Sequence, residues 1–373
     1  MAILLLLVPP RKCLRSNFAA IATRFSPGSA VCWIPPGVWS DSRNATKWKV
    51  KQRRYLRKAG AGYLTAPFYL DNMDNKVYYG GQAVIEGVMM RGRKAVVTAV
   101  RRPGGEVTMD IKPLSAFYTG KLRRIPLLRG IIILVEAMVL GIQSLLYSAN
   151  VALEEEDEEI SRKSVWAMVA TAIVMVVVLF FIAPLFLAKL TNPYIQSSLV
   201  FHLIEGFIRL AIFIAYLKLI SFLPDIKRVF TYHGAEHKTV NAYEHGVLLE
   251  VEEVRKYDTA HVRCGTSFLF VVLVIAIVVF ALIGRQSLWL MVLSRVLLIP
   301  VIAALGYEVT YFGARHVKNV LFRIVLAPGL LLQTLTTGEP DDSQLEVALS
   351  ALRKVMEIDQ LEETAQSSAA DSC

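Results

Sequence analysis

Hydrophobic positions in this chain come in long blocks. Four of them, Val165–Ala188, Leu199–Phe222, Ser267–Ile283 and Leu288–Leu305, are close to the ~20 residues that a helix needs to cross a bilayer core. The last two are joined through Gly284-Arg285-Gln286-Ser287, a tight hairpin. A fifth block, 125–150, is interrupted by Arg129, Glu136 and Gln143. At about 100° per residue a seven-residue interval returns to one stripe, which predicts an interfacial or partly inserted helix, with a further span as the alternative.

Upstream of these blocks the period shortens. Lys94–Arg102 and Glu106–Ile111 are β-branched and partly alternating around Pro103-Gly104-Gly105, a hairpin pattern. Gly80–Gly92 (GGQAVIEGVMMRG) predicts a strand flanked by tight turns, with a binding loop as the alternative. Downstream, Tyr307–Val325 predicts an amphipathic helix broken at Pro328-Gly329, and Thr336–Pro340 a turn. A last helix, capped by Asp342 or Ser343, places Leu345, Ala348, Leu349, Leu352, Val355 and Met356 at helical spacing. The pattern predicts a mainly α polytopic membrane protein with about four transmembrane helices, five at most, and a small N-terminal β-rich unit. Its divisions are a leader over 1–70, the β-rich unit over 71–124, a membrane domain over 125–359 with a large loop at 224–266 and C-terminal amphipathic helices, and a disordered tail over 360–373.

Composition supports the membrane reading: 54% of residues are hydrophobic and the mean hydropathy is +0.47. The formal charge of +10 is local, because residues 1–70 hold 12 Lys/Arg and one acid, Asp41. The excess is therefore a leader and not a basic face, and nucleic acid is not expected as a partner; the lipid bilayer is. An Arg-rich, nearly acid-free leader predicts an organellar transit peptide, with a secretory signal as the competitor. Chloroplast membrane is the expected location, mitochondrial membrane the alternative. Of four cysteines only Cys264 lies in the body of the chain, so no disulfide framework is expected. Lys227, Arg228, Lys238, Arg255, Lys256 and Arg263 crowd the loop 224–266, whereas the loop between the first two spans has only Lys189. The positive-inside rule then places the large loop in stroma, matrix or cytosol. Within the spans, Glu205 and Arg209 are four residues apart and Arg295 needs a partner, for which Glu205 is available.

Candidate chemistry concentrates in Tyr232–Gly246, YHGAEHKTVNAYEHG, which holds three of the six histidines. On a helix His233 and His237 share a face, with Glu236 on the neighbouring face. The order H-x-x-E-H suits two imidazole ligands for a divalent metal, zinc foremost, and a carboxylate, Glu236, as the base that takes a proton from water. A third ligand must come from elsewhere. His261 and Cys264, an H-x-x-C pair, and Glu308 are the candidates. Glu244 lies behind them, since eleven helical residues rise about 16 Å. His245 is a bystander. Interfacial histidines that merely hydrogen-bond are the bland alternative.

Five stretches, GGQAVIEGVMMRG at 80–92, RIPLLRGI at 124–131, YHGAEHKTVNAYE at 232–244, HVRCGTSF at 261–268 and PGLLLQTLTTGEP at 328–340, resemble the YqhQ-like family. This is a domain-of-unknown-function family of bacterial and plastid polytopic membrane proteins, often labelled predicted metal-dependent enzymes. The resemblance covers about residues 76–352, and departs from the family pattern at Arg93, where a proline is usual. It implies that the histidine, glutamate and cysteine positions above are motif positions, and it names no substrate. The expected function is a membrane-embedded metal-dependent enzyme, of hydrolase type, working at the membrane interface. The alternative is a non-catalytic membrane assembly or scaffold protein, or a transporter subunit, using the Glu205–Arg209–Arg295 charges.

Overall fold

The computed structural model describes residues 77–115, 125–154, 162–191, 193–315 and 320–370. The leader expected over 1–70 and most of the acidic run that begins at Glu154 lie outside the described residues. Four strands, β1 (Gly80–Val84), β2 (Gly87–Arg91), β3 (Ala95–Arg101) and β4 (Val107–Pro113), form one antiparallel sheet in sequence order. The glycine-rich segment is thus two strands joined through Ile85-Glu86, rather than one strand between turns. Glu86 takes the sharp turn at φ 52°. Gly105, at φ +92°, closes the second hairpin.

The inner strands are buried on both faces, which is why β3 reads as a nearly continuous apolar run. Helix α1 (Leu128–Ala152) covers one face: Leu140, Leu145 and Val151 pack on Val84, Met89, Val96 and Val100, and Thr98 Oγ1 bonds Ser144 Oγ at 2.9 Å. The final helix, α11 (Asp342–Ala370), packs against β2 and β3 through its apolar stripe and continues through most of the stretch expected as a disordered tail over 360–373. There Leu345, Ala348, Leu349, Leu352 and Val355 are all buried.

Between these ends lie α2 (Arg162–Val177), a π-helical turn (Val178–Ile182), α3 (Ala183–Lys189), α4 (Ser198–Ile220), α5 (Pro224–Glu244) and α6 (Val251–Val254). They are followed by α7 (Gly265–Ile283), α8 (Leu288–Leu297), α9 (Ile299–Arg315) and α10 (Val320–Gln333). Three helical stretches, Leu128–Ala152, Trp166–Lys189 and Gly265–Ile283, are long and apolar enough to cross a membrane. The number rises to five if the bent pairs α4/α5 and α8/α9 each count as one span. Leu190, Leu219, Phe222, Leu282 and Trp289 are each at least 70% exposed, a surface suited to lipid.

Several features depart from the sequence pattern. The span expected over Leu288–Leu305 is bent by 48° between α8 and α9, where Pro300 removes a backbone N–H. The break expected at Pro328-Gly329 is absent, since α10 continues through Pro328 to Gln333. Gly329 lets α10 approach α7, a Cβ there lying 2.9 Å from Ser267 Cβ. The last helix is capped one residue earlier than expected. Asp341 Oδ1 accepts from Gln344 N at 2.9 Å, and Gln344 Oε1 accepts from Asp341 N at 3.1 Å, a capping box.

A buried charge cluster ties three of the apolar segments together. Arg295 donates to both oxygens of Glu205, at 3.1 and 2.6 Å, and Arg209 Nη2 donates to Oε1 at 2.7 Å. Pro184 has no N–H for the carbonyl four residues back, that of Phe180, and Arg209 Nε donates to it instead at 2.9 Å. His202 Nδ1 faces Glu205 Oε2 at 3.0 Å. Both guanidiniums also stand over the Phe280 ring, 5.1 and 4.5 Å from its centre. Two arginines against one glutamate leave an excess positive charge. Contact with a ring offsets about 2 kcal/mol, less than the several kcal/mol an uncompensated buried ion costs.

Candidate metal centre

Helix α5 is polar in sequence yet mostly buried, with 13 of its 21 residues inside the protein. Its position follows from its start. Leu223 is extended before Pro224, which opens the helix, and α5 leaves α4 at 100°. If α4 crosses the bilayer, α5 lies along its surface. Gly234 lets the turn after α10 sit directly on α5: a Cβ there would come within 2.0 Å of the Gly338 carbonyl oxygen. Gly338 N donates to Phe230 O at 2.8 Å to hold that contact.

This packing surrounds His233 and His237 with backbone acceptors. His233 Nδ1 donates to Thr336 O at 2.8 Å, and His237 Nδ1 donates to Thr259 O at 2.5 Å. Each ring therefore has Nε2 left to act as a ligand, the arrangement that metal-binding histidines use. Cys264 caps α7, its Sγ accepting from Thr266 N at 3.4 Å. The structure brings His233, His237 and Cys264 together, with one ligand atom of each within 4.8 Å of the others and all three residues buried. Cys264 Sγ lies 3.4 Å from His233 Nε2. Tetrahedral zinc with ordinary bond lengths would separate a sulfur and a nitrogen ligand by about 3.6 Å, so the donor set fits such an ion.

Electrostatics point the same way. Burial alone would raise the Cys264 thiol, but the two histidines beside it hold it well below the usual value. Burial opposes the His237 imidazolium, and Cys264 and Glu236 nonetheless raise that group to about 9. A thiol so shifted, set beside two imidazoles, is a donor set suited to a divalent cation.

Glu236 is aimed into the group from the side. Gly81 N donates to its Oε1 at 2.9 Å, while Oε2 stands 3.5 Å from His237 Nε2. The glycine-rich hairpin thus positions the carboxylate, and Gly81 is required because a Cβ there would fall 1.8 Å from the Met89 carbonyl oxygen.

The other sequence candidates lie elsewhere. His261 is adjacent, its ring centre 5.7 Å from that of His237, but its Nε2 faces Glu244 Oε2 at 3.5 Å. Burial, and then the neighbouring His237 charge, lower its pKa to about 4. Glu244 pairs with Arg263. Glu308 is not in the group: it accepts from Arg129 Nε at 2.8 Å and Leu127 N at 3.0 Å, an anchor between α1 and α9. His245 Nδ1 donates to Asn241 O at 2.7 Å, a local helix-end contact. Sequence reasoning missed Gln333. Its Oε1 accepts from His261 N at 2.8 Å, and its Nε2 donates to His261 O and Ser267 Oγ, each at 2.8 Å. It thereby holds both ends of the segment bearing Cys264. Its place in PGLLLQTLTTGEP was the available signal.

Residues 125–358 match the model of the family described as "Protein of unknown function (DUF1385)". The chain is 36% identical over 304 residues to "Uncharacterized protein YqhQ" of Bacillus subtilis (strain 168), covering 77% of this chain and 95% of that relative. No solved structure matches.

Proposed function

Because the chain belongs to the DUF1385 family of YqhQ-like proteins, whose description names no reaction, we propose a function from the site itself: a membrane-embedded metal-dependent enzyme, of hydrolase type. The observation behind this reading is the convergence of His233, His237 and Cys264 within 4.8 Å, with both outer imidazole nitrogens already held by carbonyls. Zinc, favoured by a Cys-His-His donor set, would supply Lewis acidity and a lowered water pKa. His233 and His237 would hold such an ion through Nε2 and Cys264 through Sγ. Glu236 Oε2 accepts the proton of an attacking water, with Oε1 fixed by Gly81 so that the free oxygen faces the site. His261 stands behind His237 as a neutral neighbour. Substrate reaches the site from the membrane surface, because α5 begins four residues after α4 ends.

Metal analysis of the purified full-length protein tests this reading. One divalent ion per chain is expected in the wild type, a loss of at least tenfold in affinity in His237→Ala and Cys264→Ala, and retention in Glu236→Gln. A folded wild type that takes up no transition metal, or one whose metal survives Cys264→Ala, contradicts it. The non-catalytic reading draws on the buried Glu205 cluster. It gains if Glu205→Gln abolishes the cellular phenotype of the protein while His233→Ala does not. From its composition the leader directs import into an organelle, the plastid foremost; a fluorescent fusion of residues 1–70 that stays in the cytosol would overturn that part.

A further inference from the structure

We infer that the buried charge cluster among the apolar helices is a binding site for one small monovalent anion, of the chloride or formate class. Glu205, Arg209, Arg295 and His202 are each no more than 2% exposed. Arginine does not give up its proton in a protein, so two guanidiniums meet one carboxylate. Either protonation state of His202 leaves the cluster positive. Among the described residues no second carboxylate joins it, so beyond Glu205 the arginines are met by the neutral carbonyls of Phe180 and Met291, which do not cancel the extra charge.

Donor geometry says where the guest sits. Arg295 spends four of its five N–H donors, with Nε and Nη2 on Glu205 and Nη1 on Met291 O and Ser294 Oγ. Arg209 spends Nε on Phe180 O and Nη2 on Glu205, and its Nη1 makes no hydrogen bond among the described residues. Arg209, with two of its five N–H donors used, therefore holds most of the spare donors of the cluster. A second polar atom is also unfilled: His202 Nε2 is buried without a hydrogen-bond partner. Since His202 donates Nδ1–H to Glu205, a neutral ring presents Nε2 as an acceptor, which a water entering with the anion satisfies.

Depth sets the size of the guest. Arg209 is the twelfth of the 23 residues of α4, about 16 Å from the helix start at 1.5 Å per residue. A phospholipid headgroup does not reach that far in from either end, so the anion is a free, small one. The site is separate from the His233–His237–Cys264 group and stands whether or not that group binds metal.

The experiment uses the purified full chain in nanodiscs. Radiolabelled chloride should bind saturably, near one per chain, with formate competing and gluconate, which is too large, failing to compete. Chloride should also raise Tm relative to gluconate at matched ionic strength. Arg209→Gln leaves a neutral Glu205–Arg295 pair, so its chloride affinity should fall at least tenfold and its Tm should cease to depend on the anion. Wild-type crystals soaked in bromide give a reading that needs no variant, with an anomalous peak expected beside Arg209. Absence of saturable chloride and formate binding in the wild type, unchanged binding in Arg209→Gln, or bromide peaks only elsewhere would each overturn the proposal.

Discussion

A histidine is committed to a metal largely by what its other nitrogen does. Here the carbonyls of Thr336 and Thr259 fix both rings, and both acceptors lie far from α5 in sequence. Gln333 extends this support, its side chain bridging His261 and Ser267 on either side of Cys264. Gln333→Ala should weaken metal binding several-fold, less than the roughly 10- to 100-fold cost of losing a group bonded to a ligand itself, as read by competition with a chelating dye. Glu308→Gln should leave metal content unchanged, because Glu308 serves Arg129; depleted metal in that variant would put Glu308 back in the site. The i, i+4 histidines and the intervening Glu236 were legible from spacing alone. That Cys264 and not Glu308 lies beside those histidines was not, because it depends on which distant segments pack against α5.

At the scale of single elements, local chemistry decided the boundaries. The capping box at Asp341 and Gln344 sets the start of α11, and its signature, an acid with Gln three residues on, is present in the sequence beside two competitors, Asp342 and Ser343. Asp341→Ala should destabilise the protein by about 1 kcal/mol, measured by denaturant melts in detergent, with Asp341→Asn close to wild type. Burial opposes the Asp341 carboxylate, but the hydroxyl of Ser343, the N–H of Gln344 and Arg228 outweigh it and hold its pKa below the usual value. A depressed folded-state pKa contributes stability above the unfolded value, and that contribution is lost as the pH falls through the folded one. Asp341→Asn should remove that acid-side dependence. Prolines were harder to read. Pro328 lies inside α10, whereas Pro184 leaves the Phe180 carbonyl to Arg209; only the surrounding packing distinguishes a break from a tolerated proline.

At the scale of the whole molecule, packing bears on the block at 125–150. That helix passes the length and hydropathy test for a span, yet from Leu140 onward it lies under the sheet. The part before Leu140 is about 18 Å long at 1.5 Å per residue, short of a ~30 Å hydrocarbon core, which fits partial insertion. The sheet also touches both α5 and α11. If the apolar helices cross a membrane, those contacts require the β unit, the loop 224–266 and the final helix to share one side, with an even number of crossings between them. Single cysteines introduced at Gly104 and Glu250 should label from the same side, and one at Gln196 from the opposite side; labelling of Gly104 together with Gln196 would reverse this topology. The membrane class was readable because apolar blocks state it directly. The meeting of the hairpin, α5 and the 328–340 segment at one point was not, since it is a product of long-range packing.

X-ray absorption at the metal edge of the purified, full-length protein is the most direct measurement of the site. With zinc bound, the account requires one sulfur at about 2.3 Å and two imidazole nitrogens at about 2.0 Å, completed by a light atom, with the sulfur lost in Cys264→Ser. A shell of oxygen alone, or a protein that binds no metal while folded, would contradict it.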